Sequence, residues 1–271
     1  APSGFLSRRL WTLANIRELM ETDGSQPFVR DVWLDGIEVM AARSQQGSAD
    51  GFYLAAKGGH NNESHNHNDI GNYLVYYNGQ PILGDAGGGV YTAKNFSNSR
   101  YEIWTMQSAY HNLPTVNGAM QQPGREFAAR DIRYHKDNRS ASLSLELAGA
   151  YPKEAGIKSW KRKISLQRGQ QVMVEDAFSL TKRDGKLMMS LITPCMVKLG
   201  DAGVINLDGN KEGEPFSVKV RYDKKLRPEV ETLNLADERL KSSWGNVLYR
   251  ITLHAENDSP LKDKWTVRVT H

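Results

Sequence analysis

Three of the chain's seven histidines fall within eight residues, in Gly59-His60-Asn61-Asn62-Glu63-Ser64-His65-Asn66-His67-Asn68-Asp69, with no apolar residue between them. Histidine serves both as an acid/base group near neutral pH and as a common metal ligand. Side chains two apart share one face of a β-strand, so this spacing predicts that His65 and His67 project together while Asn66 turns away. Two imidazoles on one face form half of a metal site, or a ligand beside an acid/base group. Asp85 and His111 are the candidates to complete the set. Asp85 ends the second strand of a predicted hairpin and precedes Ala86-Gly87-Gly88-Gly89, where the backbone can approach a ligand closely. His111, in Ser108-Ala109-Tyr110-His111-Asn112, is expected to enter another strand. A His, His, Asp set drawn from three strands with an open position suits zinc or a similar divalent ion. Scattered His and Asp residues are also common where no metal binds, and spacing alone leaves both readings standing.

Two other motifs compete for these letters. His65-Asn66-His67 spells the name of the HNH nucleases, but no helix follows to form their metal finger. A cupin pattern has Gly59 six residues before His65, the His-x-His pair and a glycine at 79, yet Asn72 stands where its Glu ligand is expected.

The elements that must position these residues are mostly strands. Leu10, Leu13, Ile16, Leu19 and Met20 recur at helical spacing before Asp23-Gly24, which predicts one amphipathic helix over 7–22. From Phe28 onward, short runs rich in Val, Ile, Tyr and Phe are broken by Gly, Asn and Asp about every ten residues, the signature of a sandwich or barrel. Asn78-Gly79, between Asn72–Tyr77 and Gln80–Leu83, has the residues of a type I′ hairpin turn. Further strands are expected over 33–42, 52–57, 132–135, 142–147, 160–166, 172–180, 187–192, 216–222, 246–253 and 265–269. Arg183-Asp184-Gly185 is a second candidate hairpin turn. Lys161 and Lys163, alternating with Trp160, Arg162, Ile164 and Leu166, give one strand a cationic edge, ordinarily a solvated face.

Composition bounds the rest. A chain of 271 residues makes one large domain or two modest ones. With 39% hydrophobic and 24% charged residues it is neither disordered nor collagen-like. The balance of 35 basic against 31 acidic residues is too even to imply nucleic acid. Cys195 is alone, which excludes an intramolecular disulfide and a zinc site built of thiolates. Apolar-rich stretches such as 37–42 and 73–77 fall far short of the roughly 20 residues of a membrane-crossing helix. The first residues lack an initiator Met and an apolar stretch behind a basic start, so a mature or excised chain is expected.

Ser64-His65-Asn66-His67-Asn68-Asp69-Ile70-Gly71-Asn72, then Gly79-Gln80-Pro81-Ile82-Leu83-Gly84-Asp85-Ala86-Gly87, then Tyr91, Arg100-Tyr101 and His111-Asn112, closely resemble the heparinase II/III-like polysaccharide lyases. The runs Trp160-Lys161-Arg162 and Val174-Glu175-Asp176-Ala177-Phe178 resemble later strands of that family, extending the likeness over about 30–180. The resemblance implies an all-β fold here, an antiparallel β-sandwich over 28–271 preceded by one N-terminal helix. Residues 1–27 would be a remnant of, or linker from, an upstream α/α toroid. In that family the cleft between toroid and sandwich cleaves uronate-containing polysaccharides by β-elimination, which removes the proton α to a carboxylate and expels the glycosidic oxygen.

Carried over residue by residue, the resemblance implies that His67, Asp85 and His111 bind a divalent metal, most often zinc, plausible as a pin between strands. It also implies that His65 faces the cleft as a catalytic group, with Tyr91 beside the site and Arg100 or Tyr101 assisting. The implied partners are an acidic polysaccharide and the upstream toroid, with no nucleic acid and no membrane span, in a periplasmic or secreted setting. Leu113-Pro114 replaces the threonine common after His-Asn, which points to a divergent branch and a substrate other than heparin. The competing expectations are a non-catalytic glycan-binding module on the same fold and a cupin-type metalloenzyme.

Overall fold

Asn78 and Gly79 have φ of 49° and 77°, the two positive angles that a type I′ turn requires. They join strands Tyr73–Tyr77 and Gln80–Leu83 as expected. Pro81 is tolerated because the second of these strands is a sheet edge, where a missing amide breaks no ladder. This hairpin belongs to a five-stranded antiparallel sheet in the order Asp31–Leu34, Val39–Arg43, Phe52–Lys57, Tyr73–Tyr77, Gln80–Leu83. In the computed structural model, residues 5–22, 24, 26–211 and 213–271 of the chain are described.

An eight-stranded antiparallel sheet runs Met196–Leu199, Val204–Lys211, Glu214–Tyr222, Lys262–Thr270, Gln171–Leu180, Ile157–Gln167, Ser140–Glu146, Arg130–Lys136. A four-stranded sheet runs Leu226–Asn234, Val247–Ala255, Leu187–Thr193, Pro114–Val116. One continuous core joins the three, with Leu54, Val75 and Ile82 from the first, Ile164, Val174 and Trp265 from the second, and Leu191 and Ile251 from the third. The all-β, antiparallel sandwich class is therefore the observed one.

Strand Ile157–Gln167 shows how alternation builds the core. Trp160, Arg162 and Ile164 are buried, while Lys161 and Lys163 between them are exposed. The strand is interior to its sheet, so the lysines stand on an open sheet face and not on an edge. Inward-pointing Arg162 is 1% exposed. It donates to both carboxylate oxygens of Asp176, at 2.8 and 3.0 Å, and to the carbonyls of Gly71 and Asn112 at 3.0 and 2.9 Å.

Three expectations are corrected. The helix over 7–22 is two helices, Leu6–Ala14 and Ile16–Glu21. Between them Asn15 Nδ2 donates to the Trp11 carbonyl at 2.9 Å, the local competition that makes Asn a poor helix-interior residue. The strand over 33–42 is a hairpin, because Asp35-Gly36 turns the chain, with the Asp35 carboxylate accepting the Gly36 amide at 2.9 Å. Arg183-Asp184-Gly185 closes no hairpin; the strands on either side of it belong to the eight- and four-stranded sheets, and it carries the chain between layers. The short helix Glu238–Trp244, N-capped by Asp237, adds an element that the strand pattern does not announce. Residues 1–4 of the expected N-terminal segment, and Asp23 of its stop signal, lie outside the described residues.

Candidate metal centre and its flanking residues

His65 and His67 do not share a strand face. Residues 62–72 form an irregular loop, and His65 has a left-handed φ of 57°, unusual for a residue with a Cβ. The loop holds its shape through its amides. Gln121 accepts the Ile70 amide at 3.0 Å and donates to the Ile70 carbonyl at 2.8 Å, Asn68 donates to the Gln121 carbonyl at 3.3 Å, and Asn66 donates to the His67 carbonyl at 3.0 Å. The run is rich in Asn because a buried loop without a ladder must satisfy its polar backbone with side chains. Nor does His111 enter a strand. It caps the 3₁₀ turn Ser108–Tyr110, ahead of strand Pro114–Val116.

These segments nonetheless bring His67, Asp85 and His111 together, with one potential ligand atom from each lying within 4.8 Å of the others. His67 Nδ1 is 3.2 Å from His111 Nε2, His111 Nε2 is 3.1 Å from Asp85 Oδ2, and His67 Nδ1 is 3.8 Å from Asp85 Oδ1. Ligands bound at about 2.0–2.1 Å in a tetrahedron stand about 3.3–3.4 Å apart, so the set has the dimensions of a zinc site. The donor chemistry agrees. His111 Nδ1 lies 2.8 Å from the Gln107 carbonyl, which can only accept, so Nδ1 carries a proton and a neutral ring turns the Nε2 lone pair toward a carboxylate. That arrangement needs a cation at the centre, either a metal or a proton on Nε2.

The electrostatics describe the protonated alternative. Burial alone would push His111 down, but the Asp85 carboxylate overrides it and raises His111 to about 9. Burial likewise opposes ionisation of Asp85, whereas the His111 imidazolium, His67 and the Gly87 amide hold it well below the usual carboxylate range. His67 is lowered, mainly by burial, with Asp85 opposing.

A buried amide network sets the ligands. Asn72 donates to Asp85 at 3.3 Å and accepts the Asn112 amide at 3.0 Å. Asn112 in turn donates to the carbonyls of Tyr73 and Gly84, at 2.7 and 3.1 Å, and accepts the Ile192 amide at 2.8 Å. It thus ties the hairpin bearing Asp85 to the four-stranded sheet. Lys57, whose place at the end of an apolar strand carries no chemical signal in the sequence, faces a cavity of about 180 Å³ lined also by Asp69, Asn72 and Asp85. Its ammonium pairs with Asp69 at 2.8 Å and lies 3.7 Å from Glu63.

The other predicted residues lie around this set. The exposed ring of His65 meets Tyr91 edge to face with centroids 6.4 Å apart, and Tyr91 stacks on Phe96 at 5.8 Å. Arg100 donates to the carbonyls of Asn95 and Asn66, and the Tyr101 hydroxyl donates to Asn66 Oδ1 at 2.8 Å. Both therefore brace the histidine loop. The glycine-rich loop after Asp85 is held elsewhere, with Trp244 Nε1 donating to the Ala86 carbonyl and Asp237 accepting the Val90 amide.

Residues 36–254 match the model of the heparinase II/III-like C-terminal domain. The chain belongs to the heparinase II/III-like family. Solved structures of heparinase III, the BT4657 gene product, and of the heparan sulfate lyase HepC from Pedobacter heparinus superpose with TM-scores of 0.71 and 0.69, at 14% and 12% identity. Each alignment covers 97% of this chain and 40% of the other. A further heparinase III structure gives a TM-score of 0.65 at 14% identity, over 90% of this chain and 37% of that one. This heparinase-like domain therefore spans about 40% of the length of those chains, and at such identities the likeness establishes the fold alone. No match is found among curated proteins. Among the described residues, no helix is long and apolar enough to cross a membrane.

Proposed function

We propose that this chain is the C-terminal part, residues 28–271, of a polysaccharide lyase that cleaves uronate-containing polysaccharide by β-elimination, acting with an α/α toroid upstream in a periplasmic or secreted protein. The observation that carries the reading is the division of labour in the histidine loop. His67 turns inward to Asp85 and His111, while His65, in a left-handed conformation, turns outward to Tyr91. A residue held in a sparsely populated conformation beside a built centre is the pattern of a functional site.

In this reading His67, Asp85 and His111 would hold a divalent ion, zinc by the donor set, whose charge would join three segments of the fold. His65 and the Tyr91 hydroxyl then stand at the surface the sugar reaches. β-Elimination needs a base for the C5 proton, neutralisation of the carboxylate, and an acid for the leaving oxygen. His65 suits the acid/base role and Tyr91 the acid role. Arg100 is a positioning residue, since its guanidinium spans Asn66 and Asn95. The test is cleavage by the protein with its upstream domain, followed by absorbance of the unsaturated sugar end. His65→Ala should abolish cleavage and retain the metal. Undiminished cleavage by that variant would remove His65 from the mechanism.

A further inference from the structure

On the exposed face of the eight-stranded sheet the pairing register sets lysines around a floor of small residues. Lys161 stands opposite Ala177, which stands opposite Lys264, and Ser159 stands opposite Ser179, which stands opposite Lys262. Lys161 and Lys264 thus flank Ala177 at two inter-strand spacings, about 9–10 Å apart. Because Ala177 and Ser179 are short, the centre strand is a trough, and Lys225 closes one end. The resulting cleft measures about 580 Å³ and is lined by Lys161, Lys225, Lys262 and Lys264 with a single carboxylate, Asp263. Asp263 is already paired with Lys225 at 2.7 Å. Two further acids stand on this face: Glu146, opposite Lys161, is engaged with the Ser159 hydroxyl and the amides of Ala148 and Trp160, and Glu175, opposite Lys163, lies two residues along the centre strand from Ala177, outside the cleft lining. Lys161, Lys262 and Lys264 have no ion-pair partner among the described residues. A cleft of similar size, about 600 Å³, at Arg183, Lys186 and Arg227 balances three cations with Asp184, Glu229 and Glu256. The lysine cleft has no such balance.

We propose that this cleft is a second binding site, which docks an anionic polysaccharide strand outside the reaction centre. Choosing a polysaccharide among polyanions rests on the function proposed above, and the cleft's own chemistry agrees. Its one aromatic, Phe178, is 3% exposed and packs into the core, so the cleft lacks the stacking platform that single-stranded nucleic acid uses. Ammonium groups and a serine hydroxyl suit carboxylates, sulfates and sugar hydroxyls. The cleft cannot be part of the metal centre, because Lys161 and Arg162 point to opposite faces of one strand and it is Arg162 that reaches the Asn112 carbonyl. A strand held here is tethered to the molecule and leaves the centre free, which raises the local concentration of cleavable sugar.

The test measures fluorescence anisotropy of labelled heparan sulfate and alginate oligosaccharides with the 271-residue chain. The variants are K161E/K264E and, as an equal charge change at the hairpin tip away from the cleft, K136E/R139E. Loss of at least tenfold in affinity for K161E/K264E alone, with binding that weakens as salt rises, is the expected result. Wild-type affinity in K161E/K264E, an equal loss in K136E/R139E, or equally tight binding of DNA of matched length overturns the proposal. The two readings fail separately. Absence of cleavage by the longer protein, with the cleft still binding, sinks only the lyase assignment, and cleavage without cleft binding sinks only the docking site.

Discussion

His111 is the residue on which the centre turns. Its Nδ1 proton is fixed on Gln107, so Nε2 can face Asp85 only with a proton or a metal between them. Metal binding must therefore displace a proton whose pKa is about 9, and affinity should rise with pH toward that value. The metal-free protein has the opposite slope. A raised histidine contributes stability that is whole below its unfolded pKa, about 6.5, and is lost as pH climbs through about 9. The depressed Asp85 contributes stability present above its ordinary range and lost only far into acid. The rise in Tm produced by excess zinc should accordingly be larger at pH 8.5 than at pH 6; an equal or smaller rise would show that zinc does not compete with that proton. Elemental analysis separates the two loop histidines. His67→Ala should lose metal and Tm together, and His65→Ala should lose neither, whereas equal metal loss would make both of them ligands.

At the scale of elements, the ligands are held by a buried polar relay from the eight-stranded sheet. Arg162 reaches from Asp176 through the core to the carbonyls of Gly71, which precedes Asn72, and of Asn112, so it touches the amide network around Asp85 at both of its asparagines. Arg162→Ala should destabilise the chain by about 3–5 kcal/mol in urea unfolding, because it strands a buried carboxylate, and replacing both partners with apolar residues of similar size should recover most of that. A loss below 1 kcal/mol would mean that water enters and solvates Asp176. Much of this scale is legible in sequence. Asn78-Gly79 specifies its turn, and the alternation of Trp160, Arg162 and Ile164 with the lysines marks the buried face. The rest depends on pairing between distant segments. Asp35-Gly36 makes a four-residue turn inside an apolar run, where the hydrophobic pattern masks it, and nothing near Arg183-Asp184-Gly185 reveals that its two strands find partners in different sheets. The candidate centre divides likewise. Residue types and spacing bring His67, Asp85 and His111 to notice, but the two-residue strand rule misplaces His65, because its loop is shaped by contacts to distant residues, Asn68 and Ile70 to Gln121 and Asn66 to Tyr101.

At the scale of the whole molecule, the two N-terminal helices present an open apolar surface. Helices Leu6–Ala14 and Ile16–Glu21 bury no side chain, and Trp11, Leu13 and Met20 stand 72%, 66% and 81% exposed. An amphipathic stripe of this kind gains stability chiefly by burial against a partner, and helices this short are marginal alone. The structural relatives contain these residues within alignments that span 97% of this chain, while about three-fifths of their own length lies beyond it. The upstream domain proposed above would cover these helices and supply the side of the cleft that faces His65 and Tyr91. Because elimination requires base, acid and carboxylate contacts to be held together to within about 0.5 Å, residues 1–271 alone should show little or no cleavage of uronate-containing polysaccharide. Expressing the upstream domain in the same chain should restore it, visible as absorbance of the unsaturated product, and should protect the amides of both helices from hydrogen exchange. Vigorous cleavage by the 271-residue chain would instead place the complete catalytic set on the sandwich, around His65 and Tyr91.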